Sequence, residues 1–228
     1  MGVVRADGQI LPQRGSELAL KTLHLGAGEQ RAVGDAAHDV LLFAFAGSGK
    51  LDGEALTGGI AALLLEGEEA GLEAGSQGIS LVRITLGAAT DLHAPMGARE
   101  RLVEVTAVEP GKATGSRSFQ ILYGPHNGCR RATLFVGYVP PGKAPWHYHL
   151  YDEIVWIWRG PGRYHLGDEV EPLEDGSAFR ITPREVHIVE NTHHERELAV
   201  LGIFTPAGSP SAAYLTPDIA ATYGFGSA

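Results

Sequence analysis

Two segments far apart in the chain share one pattern, HDVLLFAFAGSG at 38–49 and YDEIVWIWRGPG at 151–162. Asp39 aligns with Asp152, Gly47 with Gly160 and Gly49 with Gly162, an offset of 113. A fixed internal offset says that one supersecondary unit is used twice, and it outranks local propensity where the two disagree. They disagree at IAALLLEGEEAGLEA (60–74), which propensity alone would make a helix. The register of the repeat sets IAALLLEG against AFRITPRE (178–185), so a strand is expected there. The remaining sequence agrees: 31 glycines and 13 prolines cut the chain into short apolar runs, the pattern of many strands and tight turns. LALKTLHL (18–25), VLLFAFAG (40–47), ISLVRITLG (79–87), 118–123, 131–139 and LAVLGIFTP (198–206) read as strands, with turn signals at Asp52-Gly53 and Gly167-Asp168. The expectation is an all-β chain of two like halves, 1–97 and 98–228. Residues 88–116 form the junction, with one more strand in ARERLVEVTAV and its owner left open. The Ala/Gly/Pro-rich tail from 208 is expected to be loose or to end in a short helix.

The halves differ in chemistry. PGKAPWHYHLYDEIVWIWRG (141–160) places His147 and His149 two residues apart and Glu153 four further on. On a strand the side-chain period is two, so all three point to one face if the strand continues. His187 arrives later, in TPREVHIVEN (182–191). Three imidazoles and one carboxylate suit a divalent transition metal better than Ca²⁺ or Mg²⁺. In the first half the same offset puts Gly34, Ala36 and Val40 where His147, His149 and Glu153 stand, and no histidine lies between His38 and His93. Glycine, alanine and valine have no ligand atoms to offer, so that half reads as a scaffold or dimerisation module.

The spacing His147-x-His149-x3-Glu153-x6-Gly160 resembles the first signature motif of the cupin superfamily, and the segment from Gly176 through Pro183 and His187 to Asn191 resembles the second. The resemblance implies a bicupin, two double-sheet β-barrels of jelly-roll type in tandem, the first degenerate. It also implies one metal in the mouth of the second barrel, with His147, His149, Glu153 and His187 as its ligands. Two positions depart from the motifs. Pro141 stands where a glycine is expected, and Glu185 replaces a glycine in the second motif, with His187 one residue early. A glutamate does not readily adopt φ > 0, so the turn before His187 must be built differently.

Such a ligand set leaves positions open on the ion, the mark of a catalytic site. The expected function is a metal-dependent enzyme acting on a small organic molecule, with Glu153 as the candidate general base. By resemblance the chemistry is dioxygenase-like or isomerase/hydrolase-like, and the ion is Mn, Fe, Ni, Zn or Cu. The alternative is a non-catalytic cupin that binds a small ligand around a structural metal. A net charge of −9 and a pI near 5.5, with no basic stripe, argue against nucleic acid or an anionic membrane as partner. No apolar run approaches the ~18 residues of a membrane span, and the start lacks the features of a signal peptide. One cysteine, Cys129, fits a reducing cytoplasm and reads as a small buried residue rather than a nucleophile.

Alternation from Glu153 sends Val155, Ile157 and Arg159 inward, and Ile154, Trp156 and Trp158 outward. Two outward tryptophans read equally as ordinary packing against a neighbouring sheet or as an interface between barrels or between chains, and the last underlies the expectation of a homo-oligomer. Arg180 reads equally as an anion contact in the cavity or as an outward salt bridge. Trp146, Tyr148 and Tyr151 either line the cavity entrance or pack. His193 and His194 read as a solvated turn, His126 as exposed, and the face of His165 stays open.

Overall fold

A computed structural model describes residues 2–4, 8–13, 16–87, 92–113 and 116–215. Most of the tail expectation, at 216–228, lies outside these residues, as do 88–91 of the junction. Only two short 3₁₀ turns, Val105–Ala107 and Pro125–Asn127, interrupt the β-structure among the described residues. No helix among them is long and apolar enough to cross a membrane.

The central strands of the two halves are ordered alike. In the first half, Ala19–Leu25, Gly71–Leu86, Asp39–Leu51 and Ile60–Leu64 lie side by side in that order. In the second half, Thr133–Val139, Leu198–Thr205, Asp152–Arg159 and Ala178–Ile181 do the same, all antiparallel. Asp39 opens its strand opposite Leu86 as Asp152 opens its own opposite Thr205. The segment 60–64 is a strand, as the repeat required. Ala61 and Leu63 face one apolar core while Ala62 and Leu64 face another, and only a period of two divides consecutive residues between two cores. Gly59 and Gly67, both at positive φ, bound the segment on either side.

Around this shared centre the halves diverge. The first is a single eight-stranded sheet whose long strands shift register near Ala44–Ala46 and Gly47–Gly49. It encloses Val33, Val40, Leu42, Leu51, Leu72 and Leu81. The second has two six-stranded sheets. One contains Asp152–Arg159; the other runs through Glu169–Leu173, Gly162–Leu166, His187–Asn191, His147–Tyr148 and Tyr214–Leu215. Val139, Val155, Ile157, Tyr164, Phe179 and Leu198 form its interior. The expected junction strand is the three-residue Leu102–Glu104, which pairs with Ile60–Leu64 of the first half.

A further core lies between the halves. Leu20, Leu41, Phe43, Val82 and Ile84 meet Leu134, Val136, Ile154, Trp156, Leu201 and Ile203 there. Trp156 is 2% exposed, its ring 4.9 Å from that of Phe45, and Trp158 stands edge-on to Phe43 at 5.0 Å. Trp156 therefore covers an interface within the chain, while Trp158 packs against Phe43 and stays half-exposed. The inward placement of Arg159 is corrected. The pairing register shifts between Ile157 and Arg159, which breaks the alternation, so Arg159 is exposed with its guanidinium 4.4 Å over Trp158.

Polar ties cross the same seam in a reciprocal way. Ser16 Oγ of the first half donates to Asp152 at 2.6 Å, and Arg131 Nε of the second donates to Asp39 at 2.9 Å. Arg180 is buried and bonds Asp152, and it donates to the carbonyls of Leu11 (2.9 Å) and Leu18. Of its two readings the salt bridge is the observed one, directed away from the cavity.

Candidate metal centre

His147 pairs in register with His187, so the two strands set their rings 4.4 Å apart. His149 follows just beyond the strand, its ring 5.1 Å from His187. The chain then bends at Leu150 and Tyr151 before the strand from Asp152 carries Glu153 back. The continuous strand assumed for the motif is thus interrupted, yet His149 Nε2 still lies 2.8 Å from Glu153 Oε2. All four side chains are buried. The four candidate ligands line one cavity.

The turn before His187 accounts for Glu185. Glu185 N–H donates to Thr182 O at 3.1 Å, closing a turn with Pro183 and Arg184 at its centre. The positive φ, 68°, falls on Arg184, the third position, where a type II turn needs it. The Glu185 carboxylate accepts from Thr182 N (2.7 Å) and Oγ1 (3.0 Å) and so locks the turn. Arg184 N–H in turn donates to His149 O at 2.7 Å, tying the two motifs together.

Each histidine is oriented by its own backbone. Nδ1 of His147 meets Pro145 O at 2.9 Å, that of His149 meets Tyr151 O at 3.0 Å, and that of His187 meets Glu185 O at 2.8 Å. A carbonyl only accepts, so each Nδ1 carries the proton and the Nε2 lone pair is left for a ligand. Burial first, then neighbouring charge from His187 and Arg117, drives the His147 pKa down to about 2. Burial likewise takes His187 down to about 4. Both rings are neutral at physiological pH, as metal ligation requires.

His149 Nε2 is buried and has no hydrogen-bond partner, despite the carboxylate oxygen 2.8 Å away. The short distance and the missing hydrogen bond are reconciled if two acceptors face each other, an arrangement that a cation between them relieves. Two ligand atoms each ~2.1 Å from an ion, at a right angle, stand ~3 Å apart, close to this spacing. Among the described residues no three of His, Cys, Asp and Glu already stand at ion-holding distances, so closing on an ion takes further side-chain movement. In donor type, tautomer and the His149–Glu153 spacing, the residues fit a divalent transition metal.

The four side chains line a cavity of about 90 Å³ whose other walls include Phe119, Phe135, Val155, Val189 and Val200. Tyr151 also lines it, stacked on His149 and on Phe204 at 4.0 Å each. Of the three candidate entrance aromatics, Tyr151 alone reaches the cavity. Trp146 packs edge-on to His165, and Tyr148 stacks on Tyr214. Arg117 lines the cavity too, and sequence reasoning missed it, because an isolated arginine before a strand has no periodic signal. His165 bonds Glu190 at 2.7 Å, and His193 caps a polar turn through Glu195 N and Arg196 N. His126 and His194 are exposed. Burial pushes the Cys129 thiol up to about 12, so it is no nucleophile.

The equivalent place in the first half is filled. Val40 is fully buried in its aliphatic core. Gly34 packs so tightly that a Cβ there would lie 1.9 Å from Glu68 O. The side chains at Gly34, Ala36 and Val40 carry no ligand atom.

Residues 134–204 match the family model for a cupin domain. In three dimensions the fold is similar to that of Bacillus subtilis oxalate decarboxylase. A mutant of that enzyme superposes with a TM-score of 0.70 over 92% of this chain and 76% of that one, at 13% identity. Another of its structures, described as concerning its Mn(II) centres, gives the same values. A third, on its substrate binding mode, gives a TM-score of 0.69 at 14% identity over 91% and 75%. At such identity the likeness is one of fold. By sequence, no curated protein matches the chain.

Proposed function

We propose that the chain is a metal-dependent cupin enzyme acting on a small organic molecule. In this reading two cupin-type copies stand in tandem, and only the second holds an ion, through His147, His149, Glu153 and His187. The observation that carries it is the set of three histidines with Nδ1 anchored to carbonyls, one of whose Nε2 atoms faces the Glu153 carboxylate without a hydrogen bond. The Mn(II) named for the oxalate decarboxylase structures makes manganese the first ion to test.

The ion, when bound, supplies positive charge that polarises a substrate oxygen and acidifies the adjacent carbon. Glu153, on leaving the ion, is then the group that takes the proton, since the Nε2 atoms of the three histidines would be occupied in holding the ion. Phe119, Phe135 and Val200 keep water from the reacting carbon. With O₂ as co-substrate the outcome is dioxygenation; without it, isomerisation or hydrolysis. The apolar lining also favours a second reading, a small-ligand-binding cupin whose ion is structural. A homo-oligomer remains part of the reading, with the half-exposed Trp158 on the face available for it, and light scattering at micromolar concentration decides it.

Elemental analysis of protein purified without added metal tests the centre. One transition ion per chain, lost in His149→Ala, is expected. Two ions per chain, or unchanged content in that variant, refutes the assignment. Turnover of diketone, flavonol or oxalate with and without O₂ then separates the reaction classes, and tight ligand binding without turnover selects the second reading.

A further inference from the structure

We infer that the substrate of this cavity is a small monocarboxylate with an apolar body, its carboxylate held by Arg117 and a second oxygen directed to the ion. The inference rests on the metal-site reading above and deepens it by naming the substrate class. Three observations converge. Among the described residues, Arg117 is the one arginine or lysine lining the cavity. A guanidinium carries five donors in a fork, so it takes a carboxylate in addition to its contacts within the chain. The remaining walls are apolar on several sides, with Phe119, Phe135, Val155, Ile181 and Val200 contributed by different strands. A compact dicarboxylate such as oxalate would leave these walls facing nothing it can contact. The cavity is also small, about 90 Å³, so the apolar body is a short chain or a single ring.

Gly202 shows that this shape is built in. A Cβ there would lie 2.3 Å from the Phe135 ring and 3.0 Å from Glu153 Oε1. The missing side chain therefore lets the ring that forms the apolar wall sit beside the proposed base.

The test is calorimetric titration of manganese-loaded protein with oxalate, with straight-chain 2-oxo acids of increasing length, and with their methyl esters. Each added methylene that reaches the apolar wall is expected to tighten binding about fourfold until the cavity is full. Acids are expected to bind more tightly than their esters. In Arg117→Met the acid–ester difference is expected to vanish while the chain-length trend and the metal content persist. Oxalate binding as tightly as the longest acid that fits, or an undiminished acid–ester difference in Arg117→Met, overturns the inference and leaves the metal centre standing. A chain that takes up no ion overturns both, and elemental analysis of the same samples tells the two failures apart.

Discussion

Arg180 offers a quantitative test of how the halves are held together. Its side chain is buried against Asp152, itself 9% exposed, and against the carbonyls of Leu11 and Leu18. Arg180→Met keeps the length of the side chain but leaves the Asp152 carboxylate with only the Ser16 hydroxyl as a donor among these groups. Breaking one side of a buried ion pair costs about 3–5 kcal/mol, because an uncompensated charge stays behind. For a chain of this size that corresponds to a fall in Tm of about 10 °C. Asp152→Leu strands the guanidinium instead and is expected to cost a comparable amount. The double variant removes both charges, leaving only unpaired carbonyls and the Ser16 hydroxyl, so its loss is expected to fall short of the summed single losses by about 2 kcal/mol or more. Differential scanning calorimetry on the four proteins closes the cycle. Additive losses, within about 0.5 kcal/mol, or a single-variant loss under about 1 kcal/mol, would show that the pair does not hold the seam as argued.

Other outcomes follow from the cavity. Glu153→Gln that retains its ion is expected to lose most activity, since an amide cannot accept the proton; full activity in that variant refutes the role of base. The His187 pKa is lowered from 6.5 to about 4, so between these values the unfolded chain binds more protons than the folded one. Metal-free protein is therefore expected to lose stability as pH falls from 6.5 towards 4, read by urea midpoints, and to be insensitive to this group above 6.5. Gly202→Ala is expected to displace the Phe135 ring and weaken ligand binding with little loss of bound metal; unchanged affinity contradicts the close packing at that glycine.

The fold was legible where sequence patterns have a single physical meaning. The repeated Asp-to-Gly segments marked two equivalent central strands, and the repeat overrode the helical propensity of 60–74 because alternate side chains there serve two cores. The four candidate ligands could be found because motif spacing survives the bend at Leu150 and Tyr151. Three features were not legible, for different reasons. The shift at Ile157–Arg159 is a change of register, which inverts the face of a residue without changing any residue type. The positive φ at Arg184 occupies a position where composition predicts none, and only the Thr182–Glu185 hydrogen bonds show why it is held. The apolar walls of the cavity were hidden because Phe119, Phe135 and Val200 have the sequence signature of core residues, and their exposure to an internal space is a matter of tertiary spacing.

The difference between the halves is one of electrostatics on a shared scaffold. Where Val40 stands, the central strand of the first half buries a side chain with no polar group to satisfy, and the interior closes as an aliphatic core. At the matching position of the second half stands Glu153, with three histidines around it, and each of these groups carries a desolvation cost that an apolar side chain does not. Anchoring to Pro145, Tyr151 and Glu185 satisfies the Nδ1 side of every ring. It leaves the inner side unsatisfied at His149. An apolar replacement was structurally available, since the first half uses it at the matching place of its like-ordered central strands. A carboxylate held 2.8 Å from an imidazole acceptor in a buried site is what the proposed ion would relieve, and the comparison of the two halves within one chain supports that reading.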